Sequence, residues 1–114
     1  MSTEIEIIEV SPRDGIQNEV KILNTQTKLE LIKRGIDAGI RRFEVTSFVN
    51  PKRVPQMADA EAVVAGLKKY STASFIGLTL NKQGFERAKK SGLNEANFVV
   101  VATDTFSQKN QGTT

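Results

Sequence analysis

Leu29-Glu-Leu-Ile-Lys-Arg-Gly-Ile-Asp-Ala-Gly-Ile-Arg-Arg-Phe-Glu-Val-Thr46 changes its period partway along. Leu29, Ile32, Ile36 and Ile40 recur at i, i+3, i+7 and i+11, the spacing of an apolar stripe on one helix face. Gly39 then offers a helix stop, and residues 42–46 continue as a short β-prone apolar run. Thr27-x-x-Glu30 has the form of a capping box for the start of that helix. A helix passing at once into a strand is the unit of an alternating α/β chain.

The same unit recurs on either side. Residues 5–10, 73–80 and 96–102 are further runs rich in Val, Ile, Phe or Thr. The last, Asn97-Phe-Val-Val-Val-Ala, is almost continuously apolar, as suits a strand buried on both faces of a parallel sheet. The first alternates Ile5 and Ile7 with Glu4 and Glu6 and is the weakest strand of the four. Ala60, Val63, Val64 and Leu67 form a second helical stripe, with Asp59 as N-cap and Lys68-Lys69 near the negative end of the dipole. A third helix runs from a cap at Asn81 through Phe85, Ala88 and Lys90 to Gly92. Such stripes are core faces. The order β-α-β-α-β-α-β predicts right-handed crossovers and a parallel sheet. It suits either a small doubly wound sheet or the first half of a (β/α)₈ barrel, whose full length is about 250 residues. No phosphate-binding glycine loop follows the first run, which weighs against a nucleotide-binding sheet.

The chain has 114 residues, no Cys and no His. These absences exclude a disulfide scaffold, a thiolate zinc site and a thiol nucleophile within these residues, and remove the commonest general base. Oxygen-ligated cations such as Mg²⁺ or Mn²⁺ remain compatible. The net charge of +3 is spread evenly, 9 basic and 8 acidic residues up to Met57 against 7 and 5 after it, so no basic arm points to nucleic acid. No apolar run has the length of a membrane span, and the polar start is unlike a secretory signal, so a cytoplasmic protein is expected.

In either architecture, ligands meet the carboxyl ends of the strands. Ser11-Pro-Arg-Asp-Gly-Ile-Gln-Asn-Glu19 follows the first run. Arg13 brings a planar fork of donors suited to a carboxylate or an enolate oxygen, and Asp14 a hard oxygen ligand. The alternative is that both merely pair with neighbours. Glu44 lies within an apolar run, where a carboxylate is costly unless paired; the Arg13 loop is a suitable source of the partner, and a purely structural ion pair remains open. Ser47 and Thr46 offer donors, and Pro51 and Pro55 stiffen a connection long enough to bind a ligand. Thr103, Asp104, Ser107, Lys109 and Asn110 form either a binding loop or a terminus.

Residues 11–19, together with Glu44-Val-Thr-Ser-Phe-Val-Asn-Pro-Lys-Arg-Val-Pro-Gln-Met-Ala-Asp59, closely resemble the first- and second-strand signatures of the hydroxymethylglutaryl-CoA lyase family. Asn81-x-x-Gly84 and Phe106-Ser-Gln-Lys-Asn110 match at the third and fourth strands, so the likeness covers nearly the whole chain. It implies the first half of a metal-dependent (β/α)₈ barrel, residues 1–114 being the N-terminal half of the domain, that cleaves a carbon–carbon bond in a 3-hydroxyacyl-CoA. By the same resemblance, Asp14 ligates the divalent metal, Mg²⁺ or Mn²⁺, and Arg13 stabilises the substrate carbonyl and its enolate. Glu44 joins the active site, while Gln17, Ser47 and Asn110 lie along the substrate. The family completes its metal site with a later His-x-His pair and an Asn, and uses a Cys on a late loop; this chain has neither His nor Cys. Val20, followed by Lys21, replaces the family's basic residue after Gln-Asn-Glu, and Arg53 stands where relatives often carry an apolar side chain.

The expectation is an N-terminal portion of such a lyase, inactive by itself and prone to self-association through open sheet edges, with a homodimer or larger assembly for the complete protein. A related aldolase or Claisen-type condensing enzyme, and a non-catalytic half-barrel, are the alternatives.

Overall fold

A computed structural model describes residues 5–99. Three parallel strands form one sheet in the order β1 (Arg42–Ser47), β2 (Ser74–Thr79) and β3 (Glu95–Phe98). Helices α1 (Thr25–Asp37), α2 (Ala60–Leu67) and α3 (Lys82–Ser91) alternate with them. Sequential parallel order with a helix in every crossover is the pattern of half a (β/α)₈ barrel.

The run at residues 5–10 does not become a strand. One parallel bridge joins Glu9 to Phe43, with the Glu9 amide donating to the Arg42 carbonyl at 3.0 Å and the Glu44 amide to the Glu9 carbonyl at 2.9 Å. Ile5 and Ile7 are exposed, so apolar composition there is not matched by burial among the described residues. The fourth run is a strand only over its first part, and residues 100–102 lie outside the described residues.

Helix α1 starts earlier than the Thr27-x-x-Glu30 spacing predicts. Asn24 is the N-cap and accepts from the Thr27 amide at 2.8 Å, while Glu30 instead accepts from Arg34 Nε at 3.1 Å one turn on. Asn is at least as good a cap as Thr, and it wins here because its side chain reaches N3. Asn81 caps α3 as expected, accepting from the Gly84 amide at 2.8 Å, and Gly92 closes that helix at φ +79°, which side chains resist. Asp59 stands at the start of α2 without capping it, because its carboxylate is engaged elsewhere.

The stripes of α1 and α2 meet over the sheet. Ile32, Phe43, Val45, Val63, Leu67 and Phe75 form one buried cluster against which Leu29, Ile36 and Ile40 pack. Phe43 and Phe75, paired across the register, tilt at a centroid distance of 6.1 Å. Phe85 departs from expectation: α3 turns Gly84 and Ala88 inward and leaves Phe85 half exposed. The reason is close approach, since a Cβ on Gly84 would lie 2.3 Å from the Phe48 carbonyl oxygen. A third cluster, Ile16, Val49 and Met57 with Leu23, Val54 and Leu80, packs the loops beyond the strands' carboxyl ends against one another.

Candidate active site

Ser11–Gly15 forms a single wide π-type turn, closed by the Ile16 amide donating to the Ser11 carbonyl, while the Arg13 and Asp14 amides both donate to the Val10 carbonyl, at 3.0 and 2.7 Å. Such turns are frequent at functional sites because they re-aim consecutive side chains. Arg13 points back over the sheet and its Nε donates to Glu44 Oε1 at 2.5 Å. Glu44 is buried, and the ion pair supplies what a carboxylate in that position requires. Arg13 Nη1 also lies 3.5 Å from Asp14 Oδ1, a long contact, and the Asp14 side chain is 57% exposed.

A second link runs beside the first. The Ser47 hydroxyl, fully buried, donates to Gln17 Oε1 at 3.1 Å. Glu44 and Ser47 are three apart, and strict alternation along a strand would send them to opposite faces. The β1–β2 register shifts between Glu44 and Thr46. An irregularity of that kind resets the alternation and re-aims side chains. It fits the observation that both residues meet the same 11–17 segment.

Arg13, Asp14 and Gln17 form part of the wall of an open groove of about 1400 Å³ beyond the carboxyl ends of the strands. Its other walls come from Val49–Val54 residues such as Asn50, Lys52 and Arg53, and from the start of α3. Six basic side chains (Arg13, Lys52, Arg53, Lys82, Arg87 and Lys90) line it against two acidic ones, Asp14 and Glu86, which favours an anionic ligand. Glu44 and Ser47 stand behind that wall. The structure therefore gathers Arg13, Asp14, Gln17, Glu44 and Ser47; Asn110 lies outside the described residues.

Asp14 presents a hard oxygen donor to the groove, which suits a divalent cation. Among the described residues there is no group of three or more His, Cys, Asp or Glu able to hold a metal.

Two groups of residues escaped the sequence. Arg87 of α3 spans Glu61 on α2, with its Nη2 donating to Oε1 at 2.6 Å, and reaches the Val49 carbonyl at 3.1 Å through Nη1. Lys28 is buried and paired with Asp59. The signal for Lys28 was available: it sits one turn before Ile32, on the apolar face of α1.

A parallel α/β half-barrel with polar groups gathered beyond its strands defines the class, that of (β/α)₈ barrels. The HMGL-like family model matches residues 4–114. The chain is 43% identical over 106 residues to the mitochondrial hydroxymethylglutaryl-CoA lyase of Rattus norvegicus, covering 93% of this chain and 33% of that protein. It is equally similar, 43% over 106 residues, to the cytoplasmic 3-hydroxy-3-methylglutaryl-CoA lyase of Mus musculus, covering 93% of this chain and 31% of that one. The HMG-CoA lyase structure from Brucella melitensis superposes with a TM-score of 0.90 at 38% identity, over 99% of this chain and 40% of that chain. An HMG-CoA lyase from Acenitobacter baumannii, solved with coenzyme A and 3-methylmalate, gives 0.90 at 37% identity, over 96% and 36%. The chain spans about a third of the length of the curated relatives it matches. It belongs to the HMGL-like family and corresponds to the N-terminal region of the HMG-CoA lyases. No helix among the described residues is long and apolar enough to cross a membrane.

Proposed function

We propose that the protein of which this chain is the N-terminal portion is a divalent-metal-dependent hydroxymethylglutaryl-CoA lyase, releasing acetyl-CoA and an oxoacid. The observation that carries it is Arg13, held by Glu44 at 2.5 Å beside the exposed carboxylate of Asp14, at the mouth of a basic groove. Cleavage requires loss of the 3-hydroxyl proton, so that its oxygen becomes the ketone of the oxoacid, rupture of the adjacent carbon–carbon bond and passage of its electron pair to the thioester, which becomes an enolate and takes up a proton at its α-carbon to leave as acetyl-CoA. Arg13 offers that oxygen a fixed guanidinium, and a preformed donor of this kind is worth about 3–4 kcal/mol in comparable oxyanion sites. Glu44 keeps the guanidinium aimed and Ser47 holds Gln17, whose amide meets substrate oxygens. Asn110 contributes a further contact to the substrate. A Mg²⁺ or Mn²⁺ ion bound through Asp14 would polarise the substrate oxygens as a Lewis acid. The basic groove walls suit the phosphates of an acyl-CoA.

The test is turnover of hydroxymethylglutaryl-CoA by the complete protein with Mg²⁺ or Mn²⁺. Acetyl-CoA release that is abolished in an Arg13→Ala variant shown by melting to be folded at the assay temperature supports the reading. Condensation of an oxoacid with acetyl-CoA and no cleavage would move the protein to a Claisen-type activity.

A further inference from the structure

Lys28 is 2% exposed, among the most thoroughly buried large side chains described. An ammonium group withdrawn from water in this way is costly unless it is paired and hydrogen-bonded. Its Nζ donates to Asp59 Oδ1 at 2.5 Å and to the Gln56 carbonyl. The second carboxylate oxygen of Asp59 accepts from the Thr25 hydroxyl at 2.6 Å, and Gln56 Nε2 donates to the Glu19 carbonyl at 2.6 Å.

These links join two stretches of chain. Residues 19–28 continue from the turn that carries Arg13, Asp14 and Gln17. Residues 56–59 end the loop that begins after Ser47 and supplies another wall of the groove. None of the five linked residues lines the groove itself. An apolar contact between α1 and α2 would hold the helices together as well as an ion pair, and often better. What an apolar contact lacks is a directional grip on the backbone of the irregular Pro55–Met57 turn, which the ammonium provides.

We propose that Lys28 is a positioning residue for the site: by gripping the Gln56 carbonyl and Asp59 it fixes the Arg13 turn against the opposite loop. The proposal rests on the lyase reading above, and its test separates the two. In the complete protein, Lys28→Met combined with Asp59→Leu replaces the buried pair by apolar side chains and keeps the helix contact. The expected result is a melting temperature close to that of the unaltered protein, kcat lowered by about tenfold or more with KM within about twofold, as small misplacements produce. The Arg13 Nε–H resonance, followed in arginine-labelled protein, would also lose its protection from exchange. An unaltered kcat together with an unaltered Arg13 signal in the folded double variant overturns the proposal. If the double variant does not fold, Lys28→Met alone, which leaves the part-exposed Asp59 carboxylate open to hydration, is judged by the same two readouts. If the unaltered protein shows no cleavage at all, the lyase reading fails, and the Arg13 signal alone decides whether Lys28 positions the turn.

Discussion

Arg13 Nε and Glu44 Oε1 lie 2.5 Å apart across 31 residues of sequence, and Glu44 has almost no access to water. The pair therefore carries two costs when broken, an unpaired buried carboxylate and a released guanidinium. Arg13→Ala leaves the carboxylate stranded and should destabilise the fold by about 3–5 kcal/mol. Glu44→Gln keeps an acceptor near Arg13 and should cost less stability. Its effect on catalysis should be larger, a fall in kcat of about 10²-fold, because the guanidinium loses its aim. Steady-state kinetics and thermal melting of the complete protein check both. A lysine at position 13 should not substitute, since it lacks the planar fork that meets Glu44 and an enolate together.

Asp14 behaves differently because its side chain is largely in solvent. Asp14→Asn removes no buried contact and should change stability by less than about 0.5 kcal/mol. Divalent-cation affinity of the complete protein, measured by titration calorimetry with Mn²⁺, should fall by about tenfold or more, since a neutral amide is a poorer ligand for a hard cation. Undiminished Mn²⁺ affinity in Asp14→Asn would show that Asp14 is not a ligand.

The helices were legible because burial follows the 3.6-residue period: Ile32, Val63, Val64 and Leu67 are all buried where the stripes place them. The partnership of Arg13 with Glu44 was also legible, since a carboxylate flanked by Phe43 and Val45 must find a cation. Other features were hidden for physical reasons. Residues 5–10 have strand composition, yet pairing depends on what lies on either side of a segment, and one bridge is all that forms here. The β1 irregularity leaves no residue signature, so Ser47 could be placed near the ligand but not behind Gln17. Asn24 outcompeted Thr27 as a cap by geometry that spacing alone does not reveal.

The Arg87–Glu61 pair sets a pH dependence whose sign can be worked out. The side-chain hydrogen bond from Arg87 holds the Glu61 carboxyl below its ordinary value of 4.5, partly opposed by desolvation. A lowered carboxyl contributes stability above its unfolded value and loses that contribution as pH falls through the folded one. Half of the Glu61 side chain is exposed, so screening keeps the contribution within about 1 kcal/mol. Glu61→Gln should therefore lower the urea midpoint slightly at neutral pH. The difference from the unaltered protein should shrink as pH falls below 4.5 and through the lowered folded value, where Glu61 becomes protonated in both states.

The outer edge of β3 has no partner strand among the described residues, and Phe98 at its end is 59% exposed. Unpaired edges with apolar side chains recruit other strands. The 114-residue chain expressed alone should self-associate in sedimentation velocity, with no cleavage activity. A monodisperse monomer would overturn the first expectation, and turnover that Asp14→Asn abolishes would overturn the second.

Gly84 is the sharpest local test of the packing between α3 and the loop beyond β1. A Cβ there would lie 2.3 Å from the Phe48 carbonyl oxygen and 3.4 Å from Asn81 Oδ1. The first obstacle is backbone, which cannot rotate away as a side-chain tip can. Asn81 Oδ1, which accepts from the residue-84 amide at 2.8 Å, would meet the Cβ only at ordinary contact distance, so the cap of the helix is kept. Alanine is the better helix former by about 1 kcal/mol, so propensity alone predicts that Gly84→Ala stabilises. Overpacking against fixed backbone costs about 1–3 kcal/mol. The steric term wins, and Gly84→Ala should lower the melting temperature of the complete protein. Gly92→Ala is the contrast: its Cβ meets nothing closer than 3.7 Å, so its cost comes from φ +79° alone. That strain is of order 1–2 kcal/mol. A Gly84→Ala variant more stable than the unaltered protein would mean that α3 can withdraw from Phe48 without penalty.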